Sequence, residues 1–142
     1  MRALLDVNVL LALFDRGHPF HIRARAWWHA NQGDGWASCP LSQNGFLRIS
    51  SQKSYPRPIA LADSVRLLRS WAVPPRHEFW PDDVTLLDQT VIDHGRVLSA
   101  KQLTDIYLLA LAVEHGGRLV TFDRGIPLAA ARGARPEHLV VV

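Results

Sequence analysis

Two aspartates follow apolar stretches at opposite ends of the chain and are the first candidates for chemistry. Near the N-terminus, RALLDVN carries residues 3–5 into Asp6, and near the C-terminus, RLVTFDRG carries residues 119–122 into Asp123. Both stretches predict buried strands that end at a carboxylate. In an open parallel sheet the strands deliver their carboxyl ends to one edge, where ligands bind. We therefore expect the two aspartates to lie close together.

A third carboxylate stands in SAKQLTDIYLLALAV, the longest helical pattern in the chain. Ser99 and Gln102 match the Ser-x-x-Gln capping box, which predicts a helix that starts near Ala100. Asp105 would then lie in the second turn. Because this helix is apolar on nearly all sides, it should be largely buried, and a half-buried carboxylate is costly unless it is paired or bound to metal.

Structural roles are an alternative for each of these acids. Thr104 could cap the helix and leave Asp105 as an early-turn acid that the helix dipole favours. Asp6 and Asp123 could each cap the helix that follows it. Capping accounts for one such acid more easily than for three acids aimed at one edge.

Three clustered carboxylates would repel one another, and their pKa values would rise unless a cation compensates. Mg²⁺ or Mn²⁺ is the natural cation, because hard divalent ions prefer oxygen ligands. Zinc is disfavoured, since the one cysteine and seven histidines show no structural zinc spacing. A carboxylate-held Mg²⁺ lowers the pKa of bound water and screens a phosphodiester. The pattern predicts metal-assisted phosphoester hydrolysis.

The elements that would position these acids alternate between strand-like and helix-like stretches. A chain of 142 residues that is 48% hydrophobic suits a single domain spanning residues 1–142. Five strands separated by helices predict an α/β fold with a mostly parallel sheet. The predicted strands are 2–5, 35–39, 77–80, 118–122 and 138–142, and the predicted helices are 7–14, 18–30, 40–51, 59–71, 84–92, 100–115 and 126–131.

Charge is distributed unevenly along the chain. Residues 16–76 hold nine Arg or Lys and two acids, whereas the part from His77 onward holds nine acids and six basic residues. A basic half is consistent with a polyanion partner, although solvated helix faces also explain such arginines. The single cysteine excludes an internal disulfide, and no stretch reaches the ~20 apolar residues of a membrane helix. We expect a cytoplasmic protein with no membrane segment.

Three segments together resemble the PIN-domain ribonucleases, specifically the VapC-type toxins of bacterial toxin-antitoxin pairs. They are LLDVNVLLAL, CPLSQNGFLRI and LTDIYLLALAVEHGGRLVTFDRG. The resemblance implies a three-layer sandwich with a five-stranded parallel sheet between helices, and a site that holds Mg²⁺ or Mn²⁺. It also implies a metal-dependent endoribonuclease that cuts a structured RNA such as tRNA or ribosomal RNA, is restrained by a cognate antitoxin, and forms a homodimer.

Carried over by motif, the acids that bind metal and act in catalysis are Asp6, Asp105 and Asp123. Asn8 is the polar residue beside the first acid, and Thr121 is the hydroxyl that often precedes the last acid by two. Asn8, Thr121, Arg48 and Arg124 are predicted to contact substrate, with an ordinary surface role as the alternative for Arg48.

One position departs from the family pattern. The family usually places a glutamate in the segment corresponding to LSQNGFLRI, where this chain has Gln43, or Asn44 in the other register. We keep Gln43 as a catalytic candidate, because an amide can ligate metal or orient water, but it supplies no charge. Catalysis could then be slow or depend on another acid. Glu78, Asp82 and Asp83 are candidates for that acid, although the sequence does not place them near the site and WPDDV is more simply a turn before a helix.

Further basic and aromatic residues have two interpretations. Arg23, Arg25, Lys53 and Arg57 could contact an RNA backbone or could simply be solvated. Neighbouring tryptophans in a helix point about 100° apart, so Trp27 and Trp28 should not both be fully buried. With Phe20 and Trp71, these tryptophans could form core or an apolar groove for an antitoxin segment.

Two other functions compete with the nuclease. A catalytically weakened PIN-like module that binds RNA or protein would explain an amide at position 43. A phosphatase or phosphoacceptor domain with Asp6 as nucleophile is the other alternative, but proteins resembling the haloacid dehalogenase group need an acid two residues later, where Asn8 stands.

Overall fold

A five-stranded sheet organises the protein, whose computed structural model describes residues 1–142. All four strand pairings are parallel. The strand order is β3-β2-β1-β4-β5, so the first strand lies at the centre. The strands are β1 Ala3–Leu5, β2 Trp36–Ser38, β3 His77–Phe79, β4 Arg118–Thr121 and β5 Leu139–Val141.

The central strand is short and buried on both faces, which is why it has no polar alternation. Leu4 pairs with Ala37 on one side and with Leu119 on the other. This register places the carboxyl ends of β1 and β4 side by side at one edge.

Helices cover both faces of the sheet. They are α1 Val7–Phe14, α2 His21–Asn31, α3 Pro40–Ser51, α4 Leu61–Trp71 and α5 Leu103–Glu114. In one buried cluster, the four helices α1 through α4 pack on one face of the sheet. In a second cluster, α5 packs on the opposite face. The predicted three-layer α/β sandwich with a parallel five-stranded sheet is confirmed. None of the helices has the length and apolar character to cross a bilayer.

The predicted helix over residues 84–92 is wrong. This stretch forms turns, and the side chain of Asp88 accepts hydrogen bonds from both the backbone N–H and the hydroxyl of Thr90. Such local bonds compete with a helix. Ile92 then forms an isolated antiparallel bridge with Ala131. Residues 126–131 likewise contain only a 3₁₀ turn, at Leu128–Ala130.

The entrance to α5 also differs in detail from the capping box. A 3₁₀ turn covers Ala100–Gln102 before α5 begins, so Asp105 lies in the first α-helical turn rather than the second. Ser99 accepts a bond from the N–H of Lys101, but the Gln102 side chain bonds to Leu98 and Gly125 instead of returning to Ser99. Thr104 is not the cap of this helix.

The tryptophan pair of α2 divides between core and surface. Trp28 is buried and packs on Trp71 at a ring separation of 5.4 Å. Trp27 is half-buried, with the guanidinium of Arg118 lying 5.7 Å from its ring centre. Trp28 and Trp71 also line an open cavity between α2 and α4, so the apolar groove for an antitoxin segment stays a prediction.

Candidate active site

Asp6 stands where β1 ends and α1 begins. Its backbone is extended, and its carboxylate accepts the N–H of Val7 at 2.6 Å, which makes it the N-cap of α1. The other carboxylate oxygen accepts the Thr121 hydroxyl at 2.6 Å. The side chain is only 7% exposed. Asp6 therefore caps a helix and is held rigidly at the sheet edge.

Thr121 ties the carboxyl end of β4 to that of β1. Its buried hydroxyl donates to Asp6 and accepts bonds from the Asn8 side-chain amide and the backbone N–H of Asp123, each at 3.1 Å. The Asn8 carbonyl oxygen accepts the N–H of Phe122 at 3.3 Å. The two strand ends therefore share one hydrogen-bonded network.

Asp123 lies at the exposed end of this network. Its carboxylate accepts the N–H of Gly125 at 2.6 Å, which closes a tight turn. No helix starts directly after Asp123, so it is not a helix cap. Arg124 between them is exposed and forms no ion pair within 4.0 Å, which leaves its guanidinium free.

Asp105 approaches the same edge from α5. It is half-buried, and no cationic side chain forms an ion pair with it. Burial, followed by the charges of Asp6 and Asp123, raises the pKa of Asp105 to about 6. The aspartates from three separate parts of the chain are thus close enough to repel one another.

The environment of Asp6 adds to this electrostatic strain. Burial raises the pKa of Asp6 above its usual value, and the charge of Asp123 acts in the same direction. The bonds from Thr121 and Val7 oppose that rise without cancelling it. Two of the three carboxyl groups therefore ionise less readily than an ordinary aspartate.

The donor set suits a divalent cation of the Mg²⁺ type. No lysine or arginine forms an ion pair with Asp6, Asp105 or Asp123, so their mutual repulsion is uncompensated within the protein. The acids do not form a closed cage, because no three Asp, Glu, His or Cys side chains lie tightly enough to enclose an ion. Mg²⁺ does not need such a cage, since it retains water and uses one or two carboxylates.

Gln43 points to a different set of partners. From α3 its side-chain amide donates to the hydroxyl of Ser38 at 2.9 Å, and Ser38 in turn bonds the buried ring of His77 at 2.8 Å. No hydrogen bond joins Gln43 to an aspartate of the cluster. Asn44, the other register, is exposed, and so is Arg48 further along the helix.

The acids considered as substitutes for the missing glutamate are engaged elsewhere. Glu78 pairs with Arg2 at 3.0 Å, and Asp83 contacts His115 at 3.0 Å. Asp82 accepts the N–H of Leu41 at 3.2 Å in the first turn of α3. Residues 81–83 form part of a turn region, but no helix follows them.

Arg57, one of the residues predicted to contact RNA, is held within the protein. Its guanidinium makes two bonds of 2.7 Å to Asp15, which also accepts the hydroxyl of Tyr55. These bonds hold the pKa of Asp15 far below its usual range, and burial beside Asp15 raises the pKa of Tyr55 to about 12. The Asp15 network fastens the connection after α3 to the end of α1.

Ser38 and His77 were not among the residues singled out from the sequence. Ser38 is the last residue of β2, and the strand-end rule that identified Asp6 applies to it as well. His77 gives no such signal, because only the folded sheet brings it beside Ser38. Burial lowers the pKa of His77, which favours the neutral ring.

Comparisons with known proteins agree with this architecture. The family model for the PIN domain matches residues 3–132. Ribonuclease VapC44 of Mycobacterium tuberculosis is 55% identical over 142 residues, which covers all of both chains, and Ribonuclease VapC38 of the same species is 43% identical over 99% of each. The solved structure of VapBC2 from Rickettsia felis bound to a promoter DNA fragment has the same fold. Its TM-score is 0.55 at 13% identity, over 87% of this chain and 89% of that one.

Proposed function

The chain belongs to the PIN-domain family, and from that premise we propose that it is a VapC-type toxin, an endoribonuclease that depends on Mg²⁺ or Mn²⁺. The observation that carries this proposal is the uncompensated group of Asp6, Asp105 and Asp123 at the sheet edge. Such a group is costly in a protein without a bound cation, and its oxygen atoms are the ligands that Mg²⁺ prefers.

Asp6 and Asp105 are the direct metal ligands in this proposal, with Asp123 as the third acid. A bound divalent ion supplies an activated water and screens the charge of a phosphodiester. The protein itself holds the Asp6 carboxylate in place, because Thr121 and Val7 each donate a hydrogen bond to one of its oxygens. Burial and the neighbouring acids raise the pKa of Asp105 to about 6, and a bound cation would favour its ionised form.

Substrate-binding roles belong to side chains at the rim. Arg124 is free to bind a backbone phosphate, and Arg48 lies exposed on α3. Asn8 and Thr121 act indirectly, because their bonds hold the acids and the Phe122 backbone in place. The role of Gln43 stays a prediction, and its bond to Ser38 favours a positioning role for the amide.

The biological setting follows from the relatives. VapC44 and VapC38 are ribonucleases. We infer that the substrate is a structured RNA such as tRNA or ribosomal RNA in the cytoplasm. We also infer that a cognate antitoxin restrains the enzyme and that the protein forms a homodimer. Expression without the antitoxin should arrest growth.

Cleavage of total RNA by the purified protein in the presence of Mn²⁺ tests the nuclease. Asp6→Asn and Asp105→Asn should each abolish cutting, because each removes a charged ligand while conserving shape. Asp63→Asn is the matched control, since Asp63 is an exposed first-turn acid of α4 that pairs only with Arg66. Equal cutting by all variants would indicate a contaminating nuclease and contradict the proposal.

A binding module without catalysis is the second candidate, because Gln43 removes one negative charge and bonds to Ser38. Calorimetric titration with Mn²⁺ separates the two functions. The nuclease requires Mn²⁺ uptake that Asp6→Asn weakens, whereas a pure binding module requires none.

A further inference from the structure

The Gln102 side chain connects the entrance of α5 to two loops. It is half-buried and does not cap the helix. Its amide nitrogen donates to the carbonyl oxygen of Gly125 at 2.7 Å, and its own carbonyl oxygen accepts the N–H of Leu98 at 3.2 Å. Both Gly125 and Leu98 lie outside regular secondary structure. Both polar atoms of the glutamine are therefore used in contacts between segments.

One of these loops is the turn that carries Asp123. The carboxylate of Asp123 accepts the N–H of Gly125 at 2.6 Å, and the carbonyl oxygen of the same Gly125 accepts the amide of Gln102. Gly125 is therefore held by the acid through its N–H and by the glutamine through its carbonyl group. A displacement of Gln102 would act directly on the turn that positions Asp123.

Gln102 is also linked to Asp105, the acid that α5 provides. The two residues are three positions apart in one helical stretch, and residues at this spacing lie on the same face of a helix. The face of α5 that carries Asp105 is thus the face whose first residue bonds the Asp123 turn. The charge of Asp123 contributes to the raised pKa of Asp105, which indicates that the two carboxyl groups lie close together.

The junction between α5 and the Asp123 turn has no backbone support. No backbone–backbone hydrogen bond joins residues 98–105 to residues 121–126. Ile126 is buried in the same apolar cluster as Ile106 of α5, but apolar burial is non-directional. A hydrogen bond restricts both distance and angle. The Gln102 amide is therefore the directional contact that fixes the turn against the helix.

We propose that Gln102 is a positioning residue of the metal site, which sets the separation of Asp105 and Asp123 and so favours a small divalent ion. This inference rests on the proposed function. Gln102 is not itself a ligand, because both of its polar atoms are already bonded. Mg²⁺ demands near-ideal octahedral geometry, whereas Ca²⁺ accepts longer bonds and flexible geometry. A loosened junction should therefore weaken Mg²⁺ more than Ca²⁺.

The dissociation constants of three ions in Gln102→Met test this role without any cleavage assay. Methionine keeps the length of the side chain and removes both hydrogen bonds. Calorimetric titration with Mn²⁺, followed by displacement with Mg²⁺ or Ca²⁺, measures the three constants. We expect the affinities for Mn²⁺ and Mg²⁺ to fall about 10-fold and that for Ca²⁺ to fall clearly less. Gln52→Met is the matched control, because Gln52 is exposed just after α3 and should leave all three constants unchanged.

A destabilised fold is separated from a displaced turn by Ser64→Ala. This change removes the buried 2.6 Å bond between Ser64 and Ser50, which joins α4 to α3, and should lower stability without changing the preference for Mg²⁺ over Ca²⁺. Equal weakening of all three ions in Gln102→Met, unchanged constants there, or a shifted preference in Ser64→Ala would overturn the positioning role and leave the nuclease intact. A wild-type protein that takes up no Mn²⁺ would contradict the proposed function, and the role of Gln102 with it.

Discussion

Replacing Asp105 with asparagine is expected to stabilise the fold at neutral pH while it removes activity. The ordinary pKa of an aspartate is 3.8, and burial with the charges of Asp6 and Asp123 raises that of Asp105 to about 6. Asparagine has nearly the same shape and carries no charge. The variant therefore isolates the cost of one ionised carboxylate in the cluster.

The pH window follows from the direction of the shift. Below about pH 3 the Asp105 carboxyl is protonated in both the folded and the unfolded chain, so it costs no stability. Between about pH 4 and pH 6 the unfolded chain releases its proton while the folded chain keeps it, and the free energy of unfolding falls. A rise of about two units corresponds to about 3 kcal/mol. Because Asp105 is partly exposed, solvent screening reduces this to about 1–2 kcal/mol.

Urea unfolding of the two proteins in a chelator, at about pH 3 and about pH 7, measures this cost. We expect Asp105→Asn to exceed the wild type by about 1–2 kcal/mol at about pH 7 and to match it at about pH 3. Asp63→Asn should show no such gain, because Asp63 is exposed and paired with Arg66. A gain that is equal at both pH values, or a loss of stability at pH 7, would refute the electrostatic reasoning.

Two further substitutions test how the site is held. Thr121→Val should lower the free energy of unfolding in urea by about 1–3 kcal/mol, because it removes a buried hydroxyl that bonds Asp6, Asn8 and Asp123. Thr121→Ser should recover most of that loss. A valine variant as stable as the wild type would contradict this role of the hydroxyl. Gly45→Ala should destabilise the protein, because its Cβ would lie 2.5 Å from a side-chain atom of Val7 in α1. The expected loss is about 1–2 kcal/mol, since the cost of overpacking exceeds the gain in helix propensity. Gly33→Ala is the control that should leave stability unchanged, because no atom lies within 4 Å of its Cβ.

The strand-end pattern was sufficient to predict the architecture. Apolar runs bounded by polar residues gave five parallel strands, and Pro40 marked the start of α3 over Pro40–Ser51 as the structure has it. The same rule brings Asp6 and Asp123 to one edge, where the structure links the two strands through Thr121. Local sequence carries this information because strand order and crossover geometry are strongly restricted.

Other features depend on contacts between distant segments. The apolar residues around Leu86 suggested a helix, but the Asp88 turn and the bridge from Ile92 to Ala131 determine that stretch. Nothing near Gln43 in the sequence indicates that its amide donates to Ser38. The raised pKa of Asp105 likewise arises from acids far along the chain.

The hydrogen bond between Thr121 and Asp6 spans 115 positions of the chain. During translation Asp6 is therefore made early, whereas Thr121 is made only when most of the chain has been synthesised. The nascent chain cannot form this bond before residue 121 has been made, so a nuclease of the proposed kind would lack its assembled site during most of its own synthesis.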